Sequence, residues 1–334
     1  MDTALPIGVV VIGRNEGPRL QQCLRSVIAA DTIVVYVDSG SADGSATLAR
    51  QMGADVIELD RAFPFTAARA RNAGLDRLLC LHANLEFVQF VDGDCQIVPG
   101  WLKKGHKPLT AHPDTAIVAG RCRERFPQAS LYHRLCDIEW NTPVGEVQSC
   151  GGIAMIRVAA LKQVGAFNAS LIAGEEPELC LRLRQRNWKI LRIDAEMTVH
   201  DAAMLRFSQW WRRAVRAGHA CAEGYALHGH PPAKYCARET RSIWIWAFAL
   251  PVLTLALAWG THALSFLLFL AYLVLFWRIY HGARRQRHLS RADARLYALF
   301  CLIGKFPQLL GQIRYLTGKI LRRRPGLIEY KDHP

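Results

Sequence analysis

Between Ile243 and Trp277 the chain carries no Lys, Arg, Asp or Glu across 35 residues (IWIWAFALPVLTLALAWGTHALSFLLFLAYLVLFW). A single bilayer crossing needs ~20 apolar residues. Gly260-Thr261-His262 offers a turn, which predicts two short segments, about 243–259 and 263–280. Trp244, Trp246, Trp259, Trp277 and Tyr280 sit near the segment ends, where interfacial aromatics belong. Lys234, Arg238 and Arg241 precede the run, and Arg278, Arg284, Arg285, Arg287 and Arg291 follow it. Basic flanks on one side of a membrane imply an even number of crossings, so a hairpin over about 243–280 is expected. The competing reading is a buried helical pair of a soluble protein. So long an uncharged run between basic clusters suits lipid better.

The net charge of +14 follows the same division. Residues 1–200 hold 22 basic and 22 acidic side chains, which cancel, whereas residues 201–334 hold 20 basic and 6 acidic. That excess could serve nucleic acid, but it brackets lipid-compatible segments, so a membrane surface is preferred and no nucleic-acid partner is expected. Residues 294–321 mix apolar side chains with Lys305, Arg314 and Lys319, and Pro307 is expected to interrupt them. This pattern predicts an interfacial amphipathic helix, not a third crossing. The N-terminal segment lacks the basic region of a signal peptide. The ten cysteines show no Cys-x-x-Cys and no zinc spacing, so they read as reduced, mostly buried thiols of a cytosolic domain.

The first 200 residues alternate strand and helix. IGVVVI (7–12) and TIVVYV (32–37) are continuous apolar runs of the kind buried in parallel sheets, and strands are also expected at 55–59 and 87–91. Helical spacing lies between them, at about 18–30, 45–53 and 66–81. The pattern predicts a doubly wound, mostly parallel sheet flanked by helices. Farther on, strands are expected at 116–119, 153–157 and 189–193, and helices at 177–187 and 207–225. Two domains follow, residues 1–230 and 231–334. In such sheets ligands bind beyond the carboxyl ends of the strands. Arg14-Asn15-Glu16, Asp38 and Asp92/Asp94 follow three of those strands and should converge on one edge.

Most of the chemistry-bearing residues admit two readings. Val91-Asp92-Gly93-Asp94 puts two carboxylates at a strand end, where they could hold Mg²⁺ or Mn²⁺ or simply form a turn. Asp38, in VDSGSADGS, could accept from a nucleobase or ribose, or shape an Asx turn. Arg69 and Arg71, beside Asn72 in ARARNAGL, could clamp phosphate or line a solvated helix face. Glu175 and Glu176, in AGEEPELCLRLRQRNW, are acidic residues of the kind that favour a helix N-terminus. Gln209-Trp210-Trp211-Arg212-Arg213 reads as a basic aromatic stripe, contacting lipid-linked phosphate or hugging the membrane.

VVVIGRNEG, VDSGSADGS, ARARNAGL, FVDGDC, CGGIAMIRVAALKQVGAFN and AGEEPELCLRLRQRNW occur in an order that resembles the family 2 glycosyltransferases of GT-A fold. The likeness covers about residues 6–230. With the hydrophobic C-terminal region, the chain is similar to membrane-anchored bacterial exopolysaccharide (succinoglycan-type) transferases. The resemblance implies a Rossmann-like GT-A sheet, followed here by the hairpin and the amphipathic helix. It implies that Asp38 and the Arg14–Glu16 region hold the nucleotide base. It implies that Arg69, Arg71 and Asn72 bind the diphosphate and that Asp92 contacts the donor. Gly151 and Gly152 would form a loop close to sugar and acceptor. Asp92 and Asp94 would be the DxD motif, with Asp94 the closer ligand of Mg²⁺ or Mn²⁺. His200 would be a further metal or diphosphate contact, or an ordinary strand-end histidine. Glu176 aligns with the usual catalytic aspartate, and Glu175 remains a rival base.

The activity so implied is inverting transfer of one sugar from a nucleotide-sugar to a lipid-linked saccharide, for surface or exopolysaccharide synthesis. It would act at the bacterial inner membrane, with the catalytic domain facing the cytoplasm. Transfer directly onto polyprenyl phosphate is the nearest alternative. A non-catalytic, membrane-anchored nucleotide-sugar-binding protein is the alternative of another class. A nucleotidyltransferase would need a Gly-rich, Lys-containing first turn, and a dinucleotide oxidoreductase a Gly-x-Gly-x-x-Gly; GRNEG is neither. The sequence names no protein partner.

Overall fold

The apolar run predicted to open the sheet forms its centre. A computed structural model describes residues 7–29 and 32–322. They fall into two compact units. One holds the described residues up to Gln128 together with Glu139–Ala203; the other holds Ala129–Ile138 and the described residues from Met204 onward.

The elements of the first unit are β1 (Ile7–Gly13), α1 (Pro18–Val27), β2 (Thr32–Asp38), α2 (Ser45–Gln51), β3 (Asp55–Glu58), α3 (Ala67–Leu81), β4 (Phe87–Asp92), β5 (Cys95–Ile97), α4 (Trp101–Ala111) and β6 (Thr115–Glu124). After α5 (Leu131–Trp140), most of which belongs to the second unit, come β7 (Gly145–Glu146), β8 (Ala154–Arg157), α6 (Val158–Val164), α7 (Glu175–Gln185) and β9 (Lys189–His200).

The sheet has nine strands, in the order β3-β2-β1-β4-β8-β6-β9-β5, with β7 against β9. The parallel arrangement expected from the alternation holds through β3-β2-β1-β4. Beyond β4 the sheet is mixed, because β8 runs antiparallel to both β4 and β6 while β6 and β9 are parallel. Val9, Val10, Val11, Val35 and Val37 are fully buried, as strands covered on both faces must be. Pro18 sits in the first turn of α1, where its missing N–H costs nothing. Thr66 caps α3 by accepting from the Arg69 amide at 3.1 Å.

The second unit continues with α8 (Phe207–His228), α9 (Ala237–Trp244), a π-helical turn at Ile245–Ala249, α10 (Leu250–Ala258), a 3₁₀ turn at Leu264–Phe269, α11 (Leu270–Gln286), α12 (Arg291–Ile303) and α13 (Lys305–Ile320). Three helical stretches, Ala237–Ala258, Leu264–Gln286 and Arg291–Ile320, are long and apolar enough to cross a membrane. The first two form the expected hairpin. Ser265 Oγ donates across it to the Thr254 carbonyl at 2.7 Å, and Thr254 Oγ1 donates to the Leu250 carbonyl of its own helix at 2.9 Å, so both buried hydroxyls are satisfied.

One expectation needs correction. The break in 294–321 falls at Gly304 rather than at Pro307, which lies in the first turn of α13 where proline is tolerated. The compact units divide at Ala203/Met204, whereas the sequence suggests a domain limit at residue 230, and α8 packs along α13 within the second unit. Glycines make that packing close. A Cβ at Gly218 would stand 2.0 Å from the Gln308 carbonyl oxygen, and one at Gly311 would stand 2.0 Å from that of Val215.

Candidate active site

The parallel strands deliver their C-terminal residues side by side. In register, Gly13 lies opposite Asp38 and Ile12 opposite Asp92, so the loops after β1, β2 and β4 share one edge as expected. Two of these loops are stitched together. The Asn15 amide donates to Ser41 Oγ at 2.9 Å, Asn15 Oδ1 accepts from the Ala42 amide at 2.7 Å, and the Gly17 amide donates to Asp43 Oδ2 at 2.9 Å. Arg14 lies over the Phe65 ring at 5.6 Å, and Glu16 pairs with Arg19 at 2.8 Å.

Asp38 is 2% exposed. Its Oδ1 accepts from the amides of Gly40 and Ser41 at 2.9 and 2.7 Å, and its Oδ2 from the Tyr36 hydroxyl at 3.0 Å. Burial, followed by the nearby carboxylate, pushes the Tyr36 phenol well up, so it remains the donor. Of the two readings of Asp38, the structure displays the turn-forming one. The carboxylate builds the 39–43 loop instead of presenting itself outward.

Arg71 is likewise turned inward. It is 3% exposed, and its guanidinium reaches Asp92 Oδ1 at 2.9 Å and Glu175 Oε1 at 2.6 Å. A Cβ at Gly152 would stand 2.4 Å from Arg71 Nη2, so any larger residue there would push on the guanidinium. Gly151, at φ 92°, sits in the left-handed region that favours glycine. Arg71 thus joins three predicted segments as an internal tie between the Asp92 and Glu175 carboxylates.

Its neighbours serve the frame too. Asn72 exchanges two hydrogen bonds with the Phe167 backbone, at 2.7 and 3.0 Å. Arg69 donates to the carbonyls of Asp60 and Phe63, each at 3.0 Å.

The expected metal set divides. Asp94 and His200 come together, with His200 Nε2 3.1 Å from Asp94 Oδ2, through the β5–β9 pairing that sets Cys95 opposite His200. Asp92 is instead engaged by Arg71. Cys95, which the sequence did not single out, completes a three-residue group with Asp94 and His200 whose candidate ligand atoms lie within 4.8 Å of one another. Burial pushes the Cys95 thiol up, and it donates to Asp94 Oδ1 at 3.4 Å. A buried carboxylate beside an imidazole fits Mn²⁺ or Mg²⁺. Trp140 stacks flat on the His200 ring, with centroids 4.5 Å apart, and fixes its plane.

The two candidate bases differ in what holds them. Both begin α7. Glu175 is pinned by the Arg71 cation. Glu176, 5% exposed, is held by neutral donors, all on Oε1: the Cys150 amide at 2.9 Å, Cys150 Sγ at 3.3 Å and Cys180 Sγ at 2.9 Å. Among the described residues no donor reaches Glu176 Oε2. Sequence reading missed both thiols and Trp140. Only Cys180, one helical turn from Glu176, carried a local signal; Cys150 is 26 residues away and arrives with the loop before β8. Gln209, in the aromatic stripe, proves to be a helix cap. Its Oε1 accepts from the amides of Leu205 and Arg206 at 2.8 and 2.9 Å.

Residues 8–165, which contain the three strand-end loops and the glycine loop over Arg71, match the family model described as glycosyl transferase family 2. The matched stretch, a little under half of the chain, is a family 2 glycosyltransferase domain. The chain is therefore a glycosyltransferase with the GT-A fold. The glycosyltransferase AglE of Haloferax volcanii is 23% identical to this family 2 chain over 232 residues, covering 65% of it and 74% of AglE. Among solved structures, the mannosyltransferase PcManGT of Pyrobaculum calidifontis, in complex with GDP-Man and Mn²⁺, superposes with a TM-score of 0.63. It is 21% identical, with 95% of this chain and 89% of that one covered, and this likeness speaks to the fold.

Proposed function

We propose that this family 2 enzyme is an inverting, metal-dependent transferase. It moves one sugar from a nucleotide-sugar to a lipid-linked saccharide acceptor in surface or exopolysaccharide synthesis. The observation that carries the reading is the asymmetric hold on Glu176. Its Oε1 is fixed by three neutral donors, while Oε2 is left to accept a proton. Inverting transfer needs such a group, to take the acceptor hydroxyl proton as that oxygen attacks the anomeric carbon from the face opposite the leaving group. Glu175 is the poorer base, because its Oε1 is already taken up by the Arg71 guanidinium at 2.6 Å.

The remaining residues position. The stitched 14–17 and 39–43 loops form the edge proposed to receive the base. Arg71 keeps Asp92 and Glu175 apart and ordered. Asp94 and His200 would hold the divalent cation, whose charge would offset that of the leaving diphosphate. The two basic-flanked apolar stretches support placement at a bacterial inner membrane with the catalytic unit on the cytoplasmic side.

The test uses the purified full chain in detergent with Mn²⁺ or Mg²⁺. UDP-, GDP- and dTDP-sugars are screened for nucleotide diphosphate release, with and without bacterial lipid extract. Lipid-stimulated release that Asp94→Ala abolishes, with NMR showing the opposite anomer in the product, is expected. Donor binding without release from any of these sugars would favour a non-catalytic binding protein.

A further inference from the structure

The second unit contains a cavity that the catalytic reading leaves unused. It measures about 790 Å³ and is enclosed by α9, the π-turn, α11, α12 and α13. Four cations line it: Arg238 and Arg241, three apart on one face of α9, Arg278 of α11 and Lys305 of α13. Glu239 is the one carboxylate in the lining. No ion pair joins any of the four cations to a carboxylate among the described residues. Ile245, Trp246, Leu275 and Ile279 give it apolar wall, while Ser242 and Gln286 add neutral polar groups.

This combination is placed by the hairpin itself. Arg238 and Arg241 begin the first apolar stretch, and Arg278 lies near the end of the second. The Tyr272 hydroxyl donates to the Trp246 carbonyl, aligning the two stretches just inside that level. Trp246 belongs to the π-turn, and such bulges recur at functional sites because they open the backbone ladder. Positive charge at the mouth of an apolar pocket, between helices able to cross a membrane, is complementary to an anion on a long hydrocarbon chain.

We propose that this cavity seats the phosphate or diphosphate of the lipid-linked acceptor, with the chain of the lipid leaving along the apolar walls. The assignment rests on the acceptor reading above. Arg241 and Arg278 supply bidentate donors to the phosphoryl oxygens, and Arg238 and Lys305 supply further charge.

The test is equilibrium binding of undecaprenyl phosphate to the full chain in phosphatidylcholine nanodiscs. Phosphatidylglycerol and inorganic diphosphate serve as competitors. Saturable binding is expected to weaken at least tenfold in Arg241→Gln/Arg278→Gln. It should be retained in Arg291→Gln, which lies outside the lining, and recovered only in part in Arg241→Lys/Arg278→Lys, which keeps the charge but not the bidentate fork. Thermal melting of each variant separates lost binding from lost folding, and Arg241→Gln and Arg278→Gln singly carry the comparison if the double variant is unstable. Unchanged binding in the glutamine variant would overturn the site. Phosphatidylglycerol competing as well as undecaprenyl phosphate would overturn the acceptor assignment, because any anionic lipid would then fill the seat. Equal competition by inorganic diphosphate would also overturn it, because the hydrocarbon chain would then add nothing. Glu176→Gln should bind the lipid normally, so a failure of the catalytic reading shows in turnover and a failure of this one in binding.

Discussion

Arg71 holds Asp92 at 2.9 Å and Glu175 at 2.6 Å with a guanidinium that is 3% exposed. One buried cation thus fixes the first carboxylate of the Asp-Gly-Asp turn and the first residue of α7. Removing it leaves two carboxylates facing a hole. Arg71→Ala is expected to cost about 3 kcal/mol or more, the range for stripping one partner from a buried ion pair. Arg71→Lys should recover little, because an ammonium cannot span both carboxylates as a planar fork does. Urea unfolding followed by circular dichroism measures this, and an unchanged midpoint for Arg71→Ala would contradict it.

The thiols around Glu176 should be inert. For Cys150, the hydrogen bond with Cys180 pulls the thiol down, but burial and the Glu176 carboxylate together push it up to about 11. Cys180 is raised as well, chiefly by burial. At pH 8, iodoacetamide should therefore modify the exposed Cys80 first and leave Cys150 and Cys180 intact until the chain unfolds. Peptide mass spectrometry reads the order. Rapid modification of Cys180 in the folded protein would show that the carboxylate is not held as described.

His219, on α8, should make the helical unit acid-sensitive. It is 2% exposed, edge-on to Tyr315 at 5.3 Å, with Nδ1 3.7 Å from Glu223. Burial outweighs that carboxylate and pushes the imidazole down to about 4 from the ordinary 6.5. The unfolded chain then takes the proton first as pH falls. The stability that neutral His219 contributes is complete above pH 6.5, is lost progressively toward pH 4, and falls no further below that. His219→Gln should flatten the pH dependence of the melting temperature across that window. An identical slope in the variant would contradict the assignment.

The α8–α13 crossing depends on bare backbone. Gly218→Ala forces a methyl to within 2.0 Å of the Gln308 carbonyl oxygen, and backbone cannot yield as a side-chain tip can. A loss of about 1–3 kcal/mol is expected, the usual cost of overpacking. Gly282→Ala, on α11 with no atom near its added Cβ, is the matched control and should be neutral or slightly stabilising. Equal melting temperatures for the two variants would refute the close crossing.

These consequences also mark where sequence reading stopped. IGVVVI and TIVVYV announce buried strands because nothing polar interrupts them, and the Asp-Gly-Asp turn is visible because it follows such a run. The roles of Asp38 and Arg71 were not legible. The same Asp after a strand can face a ligand or fold back, and the partners it has here, the Gly40 and Ser41 amides and the Tyr36 hydroxyl, come together only in the folded chain. The antiparallel entry of β8 depends on pairing with β4 and β6 across long stretches of chain, which local periodicity does not encode. The Cys150–Glu176 contact has the same origin. The helix break at Gly304 was misread as a proline effect, because Pro307 is disruptive only beyond the first turn.

The claim that Glu176, and not Glu175, takes the acceptor proton is tested most directly by comparing single-residue amides at the two positions. Steady-state transfer is measured with saturating donor and lipid extract. Glu176→Gln should lower kcat by about 10²–10⁴, the usual worth of a positioned general base, with the donor KM nearly unchanged. Glu175→Gln should lose far less turnover, with its main cost in stability through Arg71. Glu176→Gln retaining more than about a tenth of the wild-type kcat would contradict the account.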